Sequence, residues 1–209
     1  MTSTANPMPP VNPIKPLRSW RLWLPLGVQA LLLLSIAIPP LYTEIVGKTA
    51  ILETVPIDPY DLLRGYSQTL SYKISRVDNL KAIPGWKDLP KEIGYDKKPY
   101  PVNKTSFYLV LQAPKNSSDP PQPWKPVKIQ TSLPTNLPTD QVALKGRVNY
   151  AQVEYGLETY YMPEALRTEV NDAVLKANRN KSGAMEIKVD AKGQAVAIRL
   201  WTGKRSYRF

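Results

Sequence analysis

Residues 22–43 contain no charged side chain, and this run constrains the chain more than any other feature. It reads LWLPLGVQALLLLSIAIPPLYT, bounded by Arg21 and Glu44. As a helix it would extend roughly 33 Å, the thickness of one hydrocarbon core. Trp20, Trp23 and Tyr42 fall where interfacial aromatics belong. Lys15, Arg18 and Arg21 precede the run, so the excess of positive charge on the cytoplasmic side places the N-terminus inside. Pro25 sits in the first turn, where a missing N–H costs little, and Pro39-Pro40 are expected to end or kink the helix near the far interface. Three readings compete: a retained anchor, a signal peptide cleaved after Ser35-Ile36-Ala37, and a buried helix of a soluble protein. The anchor is the expectation, because the apolar run continues past the small-residue site.

The expected plan is therefore a Pro-rich basic tail over 1–21, a transmembrane helix over 22–43 and an extracytoplasmic domain over 44–209. All 17 acidic residues lie from Glu44 onward, and only Lys15, Arg18 and Arg21 among the 28 basic ones precede it. The outer domain is still strongly basic, within a net charge of +11. Such charge raises nucleic acid or anionic lipid as partners. The expected location favours lipid and gives no reason to expect nucleic acid.

There is no Cys and no His. That removes disulfides, thiolate or imidazole metal sites, Cys nucleophiles and any His-based triad. No Asp/Asn cluster has the spacing of a calcium loop, so neither metal nor cofactor is expected.

Most of the outer domain reads as strands, giving an α+β fold: an N-terminal transmembrane helix, then a β-rich domain with one amphipathic helix and a C-terminal hairpin. Tyr66–Ser75 alternates, with Tyr66, Leu70, Tyr72 and Ile74 on one face. Residues 76–104 read as irregular with a short helix near Trp86–Ile93. Strands are expected at Phe107–Gln112, at Pro126–Thr131 with Val127 and Ile129 inward, and from Val142 onward. A bulge or tight turn is expected near Ala151-Gln152, after which Val153, Tyr155, Leu157 and Tyr161 repeat the period. Pro163 opens a helix whose apolar stripe is Leu166, Val170, Ala173, Val174 and Ala177. Met185, Ile187 and Val189 then face Val196, Ile198 and Leu200 across a turn at Asp190–Gly193.

Two blocks, DPYDLLRGYSQTLSYKIS (Asp58–Ser75) and YGLETYYMPE (Tyr155–Glu164), resemble the bacterial family named for its GDYxxLxY motif. The resemblance implies a membrane-anchored protein whose biochemical role is not established. Some members resemble partners of multi-spanning membrane proteins. It points to Arg64, Gly65, Tyr72, Tyr155, Gly156, Glu158, Tyr161, Pro163 and Glu164 as a binding surface. Each also has a structural reading: Gly65 and Gly156 serve backbone geometry, Tyr72 the core, Pro163 and Glu164 the helix start. The chain departs from the motif where Tyr66 and Ser67 stand for its Asp and Tyr, so any function of that Asp is absent here.

The functional expectation is a binding or accessory protein docked on a membrane-protein partner. One alternative is a hydrolase. Ser132 with Lys145 as base resembles a signal peptidase pair, although its segments occur in the wrong order. Glu158 with Glu164, or Asp58 with Asp61, are the carboxylate candidates. The other alternative binds an envelope lipid or polymer through the basic C-terminal end, where Lys204, Arg205 and Arg208 interleave with Trp201, Tyr207 and Phe209. Alternation sends Tyr160 and Tyr161 to opposite faces, one to the core and one to a surface.

Overall fold

The computed structural model describes residues 20–55, 67–94, 97–116, 118–179 and 182–208. It divides into two units, one ending at Ile38 and one running from Pro39 to Phe209. The helix α1 covers Trp20–Val46, three residues past the uncharged run. Its apolar side chains are exposed, from Leu22 through Val46. The helix is long and apolar enough to cross a membrane, and none of its most apolar stretch is buried. A buried helix of a soluble core would cover such a surface.

In the second unit, chain order gives β1 (Lys48–Val55), β2 (Ser67–Thr69), β3 (Ser71–Tyr72), α2 (Val77–Leu80), β4 (Lys91–Ile93), β5 (Pro99–Pro101), β6 (Ser106–Gln112), β7 (Lys125–Gln130), β8 (Gln141–Asn149), β9 (Gln152–Glu154), β10 (Thr159–Tyr161), α3 (Arg167–Arg179), β11 (Gly183–Val189), β12 (Ala195–Thr202) and β13 (Arg205–Tyr207). Every named pairing is antiparallel. One sheet has the order β13-β12-β11-β1-β3, a second β7-β6-β8-β9, and β10 with β2 and β4 with β5 form small pairs. The fold is the expected membrane-type helix followed by a β-rich α+β domain with a C-terminal hairpin.

Both larger sheets feed one buried cluster. Ala50, Leu52, Met185, Ile187 and Leu200 enter it from the five-stranded sheet, and Phe107, Leu109, Leu111 and Leu144 from the four-stranded one. Val170 and Val174, from the expected stripe of α3, join them. Alternation along β6 and β8 produces this directly, since successive side chains point to opposite faces.

Four local expectations change. Tyr66–Ser75 is not one strand: the ladder breaks at Leu70, β3 ends at Tyr72, and Lys73–Ser75 is a 3-10 turn. Leu70, Tyr72 and Ile74 are nonetheless buried. The helix expected near Trp86–Ile93 is a single 3-10 turn, Trp86–Asp88, followed by β4. Val127 is 37% exposed while Ile129 is buried, because the β6–β7 register shifts between Val110 and Leu111. The C-terminal hairpin carries a register shift between Glu186 and Ile187, so Ile187 faces Ala197 while Lys188 faces Val196. The turn expected near Ala151 is present between β8 and β9, and Pro163 leads into a 3-10 turn, Glu164–Leu166, before α3.

Candidate functional site

The two blocks that carry the resemblance lie against each other. β2 and β10 pair through Thr69 with Thr159 and Tyr161 with Ser67, and the Leu70 N–H donates to the Glu158 carbonyl at 2.7 Å. Tyr72 is fully buried and its hydroxyl donates to the Leu157 carbonyl at 2.7 Å. Tyr155 is buried and donates to the Ile74 carbonyl at 2.9 Å. Between these anchors the chain turns at Gly156, whose φ of +76° favours glycine. The Glu158 carboxylate accepts the Tyr155 N–H at 2.6 Å and so closes the loop.

Burial raises the pKa of both phenols, and the nearby Glu158 charge raises them further. Both tyrosines are therefore held neutral as donors. A phenol that acts as base or nucleophile needs the opposite shift, so Tyr72, Tyr155 and Glu158 form a lock between two segments.

Gly146 on β8 belongs to this lock. A Cβ there would lie 2.9 Å from Tyr155 Cε1 and 3.2 Å from Phe107 Cζ. The Tyr155 ring can lie on β8 only because that position has no side chain. A glycine inside an alternating strand was the available sequence signal for this contact.

The remaining candidates face solvent. Tyr160 is 5% exposed and donates to the Tyr207 carbonyl at 3.0 Å, whereas its neighbour Tyr161 is 74% exposed. The loop at 155–158 resets the alternation, so Tyr161 does not continue the inward row of Val153, Tyr155 and Leu157. Pro163 and Glu164 are also exposed, with buried Met162 between Tyr161 and Pro163. Arg64 and Gly65 lie outside the described residues, as do Asp58, Asp61 and Tyr66.

Tyr150 is 79% exposed at the β8–β9 turn and has φ +52°, uncommon for a bulky residue. Its N–H donates to Asn103 Oδ1 at 3.2 Å.

The hydrolase candidates do not converge in any described hydrogen bond. Ser132 lines an open cleft of about 640 Å³ between β7 and the segment 132–138, with Lys128 as its one cation. Lys145 is on β8, opposite Tyr108, and does not line the cleft. Glu158 is bonded to the Tyr155 backbone. Among the described residues no group of three or more acidic side chains could hold a metal ion.

The basic end is largely neutralised. Arg205 pairs with Glu169 at 3.7 Å and Arg208 with Glu44 at 3.1 Å. The Trp201 indole donates to Glu186 at 3.3 Å, and Arg199 lies 5.6 Å from its ring centroid. Phe209 lies outside the described residues.

An apolar N-terminal helix followed by an antiparallel β-rich domain, with its two signature segments locked by tyrosines, defines the class of protein. The model of the GDYXXLXY protein family matches residues 29–200, and the chain belongs to that family. No curated protein and no solved structure matches the chain.

Proposed function

We propose that the chain is a single-pass membrane protein, tail on the cytoplasmic side and domain on the other, and that the domain is an accessory module docked on a membrane-protein partner. The docking surface is the end of the second block: Tyr161, Pro163 and Glu164. The observation that carries this reading is the contrast within one dipeptide. Tyr160 is packed and hydrogen-bonded, while Tyr161 presents its ring to solvent from a strand held beside the tyrosine lock. A rigidly mounted, exposed tyrosine offers large contact area at low entropic cost, which is why tyrosine is enriched at interface hot spots.

The test is crosslinked affinity capture from detergent-solubilised membranes, with mass spectrometry of the recovered proteins. The wild type should bring down a membrane protein in stoichiometric amount. Tyr161→Ala should reduce that recovery by about tenfold or more, the size of a hot-spot loss, with its melting curve unchanged. Recovery of the chain alone would remove the docking proposal and favour the hydrolase or polymer readings. The cleft around Ser132 would then be the first place to look.

A further inference from the structure

The last turns of α1 are built into the domain. Thr43 is 3% exposed; its hydroxyl bonds the Pro39 carbonyl at 3.1 Å and Asp190 Oδ2 at 3.0 Å. Gly47 lets the chain turn tightly into β1: a Cβ there would lie 2.4 Å from the Thr43 carbonyl oxygen and 3.1 Å from Lys188 Cβ. The hairpin turn Asp190–Gln194 is therefore held beside Thr43. Thr43 is two residues beyond Leu41, about 3 Å of helical rise. If the bilayer ends where the apolar sequence ends, this turn sits at headgroup depth.

Four lysines surround it. Lys48 opens β1 and Lys192 is in the turn, both exposed, and Lys188 is half-buried two residues before Asp190. Lys48 pairs with Val189 and Thr49 with Lys188, so the two lysines project from opposite faces of the sheet. The main chain of half-buried Lys145 lies beside the same turn, its backbone N–H donating to the Gly193 carbonyl at 2.9 Å. Among the described residues none of the four has a carboxylate within ion-pair distance. Some cations elsewhere do, as in Lys73–Glu53 at 3.0 Å and Lys81–Asp78 at 2.7 Å.

The acids nearby are already engaged. Asp190 Oδ1 accepts the N–H groups of Lys192 and Gln194, each at 2.9 Å, and Oδ2 takes Thr43. Glu44 is held by Arg208. Four lysines thus gather around the turn beside the helix exit, on both faces of the sheet, against the single carboxylate charge of Asp190.

We propose that Lys48, Lys145, Lys188 and Lys192 form a collar that binds the phosphate groups of anionic phospholipids in the leaflet on the domain's side. This rests on the anchored reading above. It moves lipid contact from the C-terminal basic end, whose Arg205 and Arg208 are paired, to the helix exit.

The experiment uses the full chain in nanodiscs made from equal parts phosphatidylcholine and phosphatidylglycerol. Lipid retained by the protein is counted by native mass spectrometry. The wild type should enrich phosphatidylglycerol well above the bulk ratio, and about 0.5 M salt should abolish the excess. Lys192→Glu, at an exposed turn position, should lower the enrichment about fivefold or more, since a surface lysine is worth about that factor. The triple change Lys48→Glu, Lys188→Glu, Lys192→Glu should return the ratio to bulk. Lys176→Glu is the control. It lies on α3 one residue before Ala177, whose carbonyl accepts the N–H of Ser182 beside the other end of β11, and it should behave as wild type.

A bulk ratio in the wild type, or enrichment indifferent to Lys192→Glu, would overturn the collar while leaving the anchor intact. A chain that leaves the bilayer, or whose mass lacks residues 1–37, would overturn the anchor reading and the collar with it.

Discussion

Tyr72 and Tyr155 lock their segments reciprocally: each donates its hydroxyl to the carbonyl two residues after the other, Tyr72 to Leu157 and Tyr155 to Ile74. The two donors lie on segments separated by more than eighty residues of sequence, and both are buried. Removing one hydroxyl leaves a buried carbonyl without its donor, at a cost of about 1–3 kcal/mol. Tyr72→Phe and Tyr155→Phe should each lower the unfolding free energy by that amount. Because both bonds close the same interface, the double change should cost measurably less than the two single losses added, a coupling that a double-mutant cycle by denaturant unfolding would detect.

The same pair sets an alkaline limit. Both phenols have pKa values raised above 10.0 in the folded state, first by burial and then by the Glu158 charge. Below pH 10 the phenols are protonated in both states and contribute no pH dependence. Above it the unfolded chain loses phenolic protons while the folded chain keeps them. Stability therefore falls as pH rises, by about 1.4 kcal/mol per pH unit for each tyrosine. Melting temperatures between pH 9 and about 11.5 should decline for the wild type and decline less steeply for Tyr155→Phe, although that variant starts lower.

Two glycines with positive φ separate strain from collision. At Gly85, φ is +91° and an added Cβ would lie 2.0 Å from the Ile129 carbonyl oxygen, which backbone cannot relieve cheaply. At Gly156, φ is +76° and nothing lies within 4 Å. Gly156→Ala should cost about 1–2 kcal/mol, the left-handed penalty alone. Gly85→Ala should cost clearly more and release the Ile129 N–H bond to the Pro84 carbonyl, seen as faster amide exchange at Ile129.

The junction between helix and domain makes a graded prediction. Asp190 accepts from Thr43, Lys192 and Gln194, whereas Thr43 contributes one bond to that carboxylate. Thr43→Ala should cost about 1 kcal/mol and Asp190→Ala about 2 or more, measured on the full chain in detergent.

What the sequence discloses here depends on how local each signal is. The apolar run, the stripe of α3, the strands β6 and β8 and the hairpin turn at Asp190–Gly193 are written in adjacent residues, and their presence reads correctly. β1 lies between β11 and β3 in the larger sheet and is buried at Ala50, Ile51 and Leu52, a run too short to display a period, and it goes unrecognised. The inversion at Tyr161 and the exposure of Val127 arise from a loop reset and a bulge, both set by partners distant in the chain. The expected site splits for a related reason. Tyr72 and Tyr155 each bond a buried carbonyl of the other's segment and half-buried Glu158 takes the Tyr155 N–H, and hydrogen-bond partners eighty residues away leave no trace in spacing. Thr43 is illegible on the same account, whereas Gly146 left a signal of its own, a glycine inside an alternating strand.

The central claim, a docked accessory module, is tested most directly by a photo-crosslinking amino acid in place of Tyr161, activated in intact membranes. The account predicts one discrete adduct with a membrane protein, absent when the probe replaces exposed Lys176 on α3. An unshifted band, or adducts identical at both positions, would contradict it.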